Sequence, residues 1–225
     1  MMAVFDSFAK GYDEWYLTPL GKHVDEVEAQ CSLNLFDVSK GLKVLDVGCG
    51  SGIYSMRLAE LGYEVVGIDI SQEMLKKAEI NAKKRGLRIT FLMMDVFKLN
   101  FEKDTFDGIF SMAAFEFIQD EKKAMAEMFR VLKKGGQIVI GTINANSEWG
   151  DLYTSQESKK NSVFKYANLK TLDEMKSLDP DHLVDYNHCL FISPKVEETQ
   201  ISMASENKLK DKGSEGGFIC LKWIK

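Results

Sequence analysis

Between residues 43 and 143 short apolar runs alternate with stretches of helical periodicity. Val44-Leu45 with Val47, Val65-Val66 with Ile68, and Ile138-Val139-Ile140 are β-branched and aliphatic runs bounded by Gly, Asp, Glu or Lys. Runs of this kind read as buried strands. They predict strands at 43–47, 64–69 and 137–143, with two more at 89–94 and 106–111. The intervening segments change period. Residues 52–60 are amphipathic and stop at Leu61-Gly62. The next helix opens on Ser71, a natural N-cap, and repeats Met74, Ala78 and Ala82 at i+4 as one buried stripe. Glu73 with Lys77 and Glu79 with Lys83 are expected to pair on its outer face, and Arg85-Gly86 is its stop. A third helix, at 120–134, turns Ala124, Met128 and Val131 inward and ends at Gly135. Strands separated by helices predict a doubly wound, mostly parallel α/β sheet with helices on both faces.

The flanks are less regular. Residues 1–39 carry Phe5, Phe8, Tyr12, Trp15 and Tyr16 at near-helical spacing. A polar stretch runs from 144 to about 160, and Thr171-x-x-Glu174 forms a capping box. Strands are expected at 182–193 and 217–224, the latter alternating Ile219, Leu221 and Trp223 with Cys220 and Lys222. The charges of 194–216 read as a solvated polar loop.

Composition narrows the classes. A chain of 225 residues, 45% hydrophobic and 28% charged, fits one domain with a sizeable core. Its net charge of -5 and lack of a basic run make nucleic acid a poor partner. No apolar stretch reaches the roughly 18 residues of a membrane span. Met-Met-Ala-Val-Phe-Asp-Ser lacks the basic region and apolar core of a secretory signal. The cysteines at 31, 49, 189 and 220 form no CxxC pair, so reduced thiols in a cytoplasmic protein are expected, with no metal site.

The candidate chemistry centres on Asp46-Val47-Gly48-Cys49-Gly50-Ser51-Gly52. A strand that ends in glycines and opens a helix brings backbone close to a ligand. The glycines are one residue too closely spaced for a dinucleotide fingerprint, and no Gly-Lys-Ser/Thr follows for a phosphate loop. Asp46, beside the turn, would repel pyrophosphate but suits an ammonium group, or orients the turn by accepting amides. Asp69, ending the second strand, can accept both hydroxyls of a ribose, or simply cap the helix entry. Asp95, ending the third, can accept from an exocyclic amine while the Val96 amide donates to a ring nitrogen; its plainer role is a turn aspartate.

Taken together, these segments resemble the class I S-adenosylmethionine-dependent methyltransferases. Asp69-Ile70-Ser71, Asp95-Val96, Phe106-Asp107-Gly108-Ile109-Phe110-Ser111 and Arg130-Val131-Leu132-Lys133-Lys134-Gly135-Gly136 follow the glycine turn in that family's order. Phe5-Asp6-Ser7-Phe8-Ala9 with Tyr12-Asp13 is similar to the lead of its ubiquinone- and menaquinone-type subgroup. The resemblance covers residues 5–143 and fades beyond. It implies a Rossmann-like sheet of seven strands, the last antiparallel, in one domain: an N-terminal helical lid at 1–39, a cofactor core at 40–143, and a C-terminal part at 144–225 with substrate-side insertions and the last two strands.

The resemblance also implies roles. Gly48 and Gly50, with Cys49 between them, would underlie the methionine part of the cofactor, and Asp46 would bind or orient its amino end. Asp69 would hold the ribose, Ile70 and Met74 would pack on adenine, and Asp95 and Val96 would read its edge. Ser111 and Met112 would place backbone near the methionine amino group and sulfonium, and Tyr12 would close over the cofactor and reach its carboxylate end. Tyr16, Phe115, Phe117 and Trp149 would form an aromatic acceptor pocket, or else belong to core and hinge. No catalytic residue is required, since in-line methyl transfer needs chiefly positioning and exclusion of water. His23, His182 and His188 are bases by type only. The expected activity is methyl transfer to a small-molecule acceptor, at oxygen, nitrogen, sulfur or carbon. The alternatives are a non-catalytic S-adenosylmethionine-binding sensor or partner subunit, and a nicotinamide-dependent oxidoreductase, which the glycine spacing and Asp46 disfavour.

Overall fold

Two 3₁₀ turns, Val4–Ser7 and Tyr12–Leu17, lead into α1 (Pro19–Leu33). Then come β1 (Lys43–Val47), α2 (Ile53–Glu60), β2 (Glu64–Asp69), α3 (Gln72–Lys84), β3 (Thr90–Met93), β4 (Phe106–Met112), α4 (Glu121–Val131) and β5 (Leu132–Ile143). The chain continues through α5 (Glu148–Thr154), α6 (Gln156–Lys160), α7 (Leu172–Lys176), β6 (Leu183–Cys189), α8 (Met203–Asp211) and β7 (Phe218–Ile224). The computed structural model describes residues 4–7, 12–37, 39–160 and 162–225, without the side chains of Val4, Ser7 and Tyr12. Phe8 and Ala9 of the N-terminal motif therefore lie outside the described residues.

The seven strands form one sheet in the order β3-β2-β1-β4-β5-β7-β6. Pairing is parallel from β3 through β5, and β7 runs antiparallel to both β5 and β6. The order reverses direction between β1 and β4, and such a switch point leaves a crevice beyond the carboxyl ends of the strands. The period-2 alternation builds a core on each face. Leu45, Val47, Ile138, Ile140 and the Ile219-Leu221-Trp223 series enter one cluster. Val44, Val139, Phe218 and Cys220 enter the other, with α1. The expected stripes of α3 and α4 are buried as predicted.

Three local expectations are corrected. α4 ends at Val131, three residues early, because the Asp104 and Thr105 amides take the carbonyls of Arg130 and Val131 at 3.1 and 2.7 Å. Leu132 is then free to turn extended and pair with Phe106. The stretch 194–216 is not simply loop: α8 lies within it, capped by Ser202, and its Glu206 is buried against His23 at 3.0 Å. The polar stretch after β5 holds α5 and α6. On α3, Lys77 pairs with Asp13 at 3.1 Å and not with Glu73, which takes Lys76. Cys31, Cys189 and Cys220, far apart in sequence, meet as buried free thiols in the cluster between α1 and the paired β6 and β7.

Candidate functional site

The glycine turn is built by conformational need. Gly48 and Gly50 have φ of +70° and +52°, a region that favours glycine. The amides of Gly48 and Cys49 both donate to the Ile68 carbonyl, at 2.8 and 2.9 Å, which ties the turn to β2. A Cβ on Gly48 would stand 2.5 Å from the Ala114 Cβ, so the turn lies directly against the loop after β4. In that loop Ala113 is itself held at φ +49°, a strained setting for alanine.

Three aspartates surround the turn. Asp46 is 1% exposed and accepts the Ser55 hydroxyl at 2.5 Å. Burial pushes its carboxyl up to about 7, against the opposing Ser55 hydrogen bond and with the help of Asp69. Asp69 accepts the Gly50 amide at 2.9 Å and the Ser71 amide at 2.8 Å, so it braces the turn and the α3 entry together. Burial raises its carboxyl too. Asp95 accepts the Phe97 amide at 2.9 Å in an Asx turn. Each carboxylate keeps lone pairs for a ligand.

A cavity opens here at the carboxyl edge of the sheet. Asp46, Gly48, Cys49 and Gly50 line it from the turn, Asp69, Ile70 and Met74 from β2 and α3, and Asp95, Val96 and Met112 from beyond β3 and β4. Ser111 lies outside the lining. It is fully buried and donates to the Val47 carbonyl at 2.8 Å, joining β4 to β1. The side chain of Tyr12 is outside the described residues. Burial drives the Cys49 thiol well above its ordinary range, so it is no nucleophile. Among the described lining residues Glu28, Asp46, Asp69 and Asp95 are acids, and none is Lys, Arg or His. That set repels pyrophosphate. It suits a ligand carrying an ammonium, a sulfonium, a diol and an exocyclic amine, which is the chemistry of S-adenosylmethionine.

The N-terminal segment is anchored to the same turn and to the α3 entry. Asp6 accepts the Ser71 hydroxyl at 2.5 Å, and Asp13 accepts the Ser51 hydroxyl at 2.7 Å. Phe5 meets Phe117 edge-on at 4.8 Å. Behind this lead lies a second cavity of about 410 Å³, lined in part by Tyr16, Phe117 and Trp149. Phe115 lines neither cavity. The turn Phe115–Phe117 sends Phe115 into the core, fully buried, and presents Phe117 instead. Trp149 offers a ring face while its indole N–H is spent on the Ile192 carbonyl at 2.8 Å. Phe5, Tyr16, Glu28, Ala113 and Phe117 line both cavities, so the two adjoin.

Glu28 was not singled out by the sequence reading. The available signal was an acid set among Val24, Val27 and Cys31 on the buried face of α1. The histidines face elsewhere. His23 bonds Glu206, His182 bonds Asp179 at 2.9 Å, and His188 packs on Phe191; none lines either cavity.

Residues 38–208 match the family model of a methyltransferase domain. An uncharacterised protein of Methanocaldococcus jannaschii is 30% identical over 223 residues, 98% of each chain. The ubiquinone biosynthesis O-methyltransferase of Pelagibacter ubique is 32% identical over 146 residues, 65% of this chain and 59% of that one. A solved S-adenosylmethionine-dependent methyltransferase of Thermotoga maritima shares the fold along 100% of both chains, with a TM-score of 0.75 at 23% identity. The order of motifs, the acid-lined cavity at the switch point and the family match agree: the chain belongs to the class I S-adenosylmethionine-dependent methyltransferases.

Proposed function

We propose that this enzyme transfers the methyl group to a small molecule held in the second cavity. The observation that carries the reading is the common wall. A cleft of about 410 Å³, typical of small-ligand sites, adjoins the cofactor cavity through Tyr16, Ala113 and Phe117. A small acceptor there sits within reach of the donor while the N-terminal lead screens both from water. Acid-lined cavities and a net charge of -5 argue against RNA or DNA as acceptor. Among the described residues no helix is long and apolar enough to cross a membrane.

S-adenosylmethionine, when bound, supplies a methyl group already activated on its sulfonium. The chain's part is to hold and orient. In this reading Asp46 and the glycine turn take the methionine end. Asp69 uses the lone pairs left after its two amides for the ribose hydroxyls. Ile70 and Met74 pack on the adenine, and Asp95 with the Val96 amide reads its edge. The lead containing Tyr12 serves as a lid, pinned by Asp6 and Asp13. In-line alignment supplies most of the acceleration.

Methyl-labelled S-adenosylmethionine, incubated with the enzyme and separately with metabolite, RNA and protein fractions, tests the acceptor class. Label is expected in the metabolite fraction. Label confined to RNA or protein would overturn the small-molecule reading. Asp69→Ala is expected to weaken S-adenosylhomocysteine binding by about 1–3 kcal/mol, through loss of hydrogen bonds to a charged acceptor. Calorimetric titration measures it, and unchanged affinity would contradict the ribose role.

A further inference from the structure

Glu28 stands where the two cavities meet. Its side chain is half-buried and lines both volumes, and among the described residues no hydrogen-bond donor engages its carboxylate. Glu116, also in the wall of the second cavity, is fully buried. Its Oε1 accepts the Ile143 amide at 3.0 Å, while Oε2 has no well-aligned partner. Arg57, the cation that acts on Glu28, is committed to Asp25. Among the described lining residues of the second cavity none is Lys, Arg or His. The remaining wall is largely aromatic: Trp15, Tyr16, Phe117, Trp149, Tyr153 and Phe164 contribute, with Tyr153 stacked on Phe164 at 4.0 Å.

A carboxylate partly withdrawn from water without a partner is disfavoured, and a bound cation relieves that cost. Ring faces attract the same cation and its apolar body. A carboxylate or phosphate in this volume would meet two acids and no compensating charge. We infer that the acceptor is an amine, bound as its ammonium on Glu28 with an apolar or aromatic body against the rings. The inference rests on reading the second cavity as the acceptor site.

Burial, with Glu116 and Asp25 close by, holds the Glu28 carboxyl well above its usual range, so it is suited to take a proton. The ammonium gives one proton to Glu28, which frees the nitrogen lone pair. The N–C bond forms as the S–C bond breaks, and the S–C pair stays on sulfur. A methylated ammonium and a neutral thioether result, and the Glu28 proton passes to water.

The test is binding, with the protein saturated by S-adenosylhomocysteine. Probes are 2-phenylethylamine, tryptamine and 4-phenylbutylamine, each beside the alcohol and the carboxylate of the same skeleton. Wild type is expected to bind at least one amine about tenfold more tightly than its alcohol, the scale of one charge-assisted contact. Glu28→Gln, compared at saturating S-adenosylhomocysteine, is expected to lose that preference. Equal binding of amine and alcohol, tighter binding of a carboxylate, or an amine preference that survives Glu28→Gln overturns the amine assignment alone. Loss of S-adenosylhomocysteine by Glu28→Gln also overturns it, by placing Glu28 with the cofactor. Binding of no member by wild type overturns it together with the small-molecule reading.

Discussion

Gly48→Ala is expected to destabilise the protein by about 2–5 kcal/mol and to weaken S-adenosylhomocysteine binding at least about tenfold. Two costs add. At φ +70° an alanine Cβ crowds its own carbonyl, worth about 1–2 kcal/mol. The new Cβ would also lie 2.5 Å from the Ala114 Cβ, well inside van der Waals contact. Neither side yields cheaply. The turn is fixed by two amides on the Ile68 carbonyl, and Ala113 beside Ala114 is already strained at φ +49°. Relief must come from moving the loop that walls both cavities, so binding falls with stability. Gly135→Ala is the control. Its φ is +78°, but nothing lies within 4 Å of its added Cβ, so only the backbone cost applies. Urea unfolding of both variants separates the terms, and equal losses would show that the close approach at Gly48 costs nothing.

That contrast also explains what could be read from the sequence. The turn at 48–52 was legible because the need for positive φ writes itself as glycine, whatever the rest of the fold does. The strands of the doubly wound core were legible for a related reason. A strand buried on both faces must be apolar along its length, as Val44-Leu45 and Val65-Val66 are. Elements held by polar partners distant in sequence were not legible. α8 has few apolar residues and is fastened by Glu206 to His23, 183 positions away. α4 stops where the amides of 104 and 105 claim its carbonyls, although Lys133 and Lys134 would continue a helix willingly. The same holds at the site. Asp69 and Asp95 end predictable strands and could be placed in advance, whereas Phe115 and Phe117 differ only in which way a three-residue turn points them. Glu28 is the clearest case. It acquires its meaning from Glu116, Phe117 and Trp149, which the fold alone brings to it.

Asp46→Asn is expected to stabilise the ligand-free protein at pH 8 by up to about 4 kcal/mol, and to leave it nearly unchanged near pH 4. The sign follows from the folded carboxyl lying at about 7, raised by burial from an ordinary 3.8. Below pH 4 both folded and unfolded chains hold the proton, and Asp46 carries no penalty. Between about 4 and about 7 the folded state keeps a proton that the unfolded state has released, so stability falls as pH rises. Above about 7 the full cost of burying the charge has accrued, roughly 1.4 kcal/mol for each unit of displacement. Asparagine can still accept the Ser55 hydroxyl and carries no charge, so the cost disappears. What would be lost is the counter-charge proposed for the cofactor's ammonium. Affinity for S-adenosylhomocysteine should fall as stability rises, the trade expected where a fold keeps a strained group for binding. Wild type should also release a proton when the ligand arrives near pH 7, because an ammonium beside Asp46 favours the carboxylate. Titrations in buffers of different ionisation enthalpy measure that proton, and Asp46→Asn should not release it. Urea unfolding at pH 4 and pH 8 gives the stability term. An equal effect of the substitution at both pH values would mean that Asp46 is ordinary in the folded state, and that the ammonium-binding role assigned to it has no energetic basis.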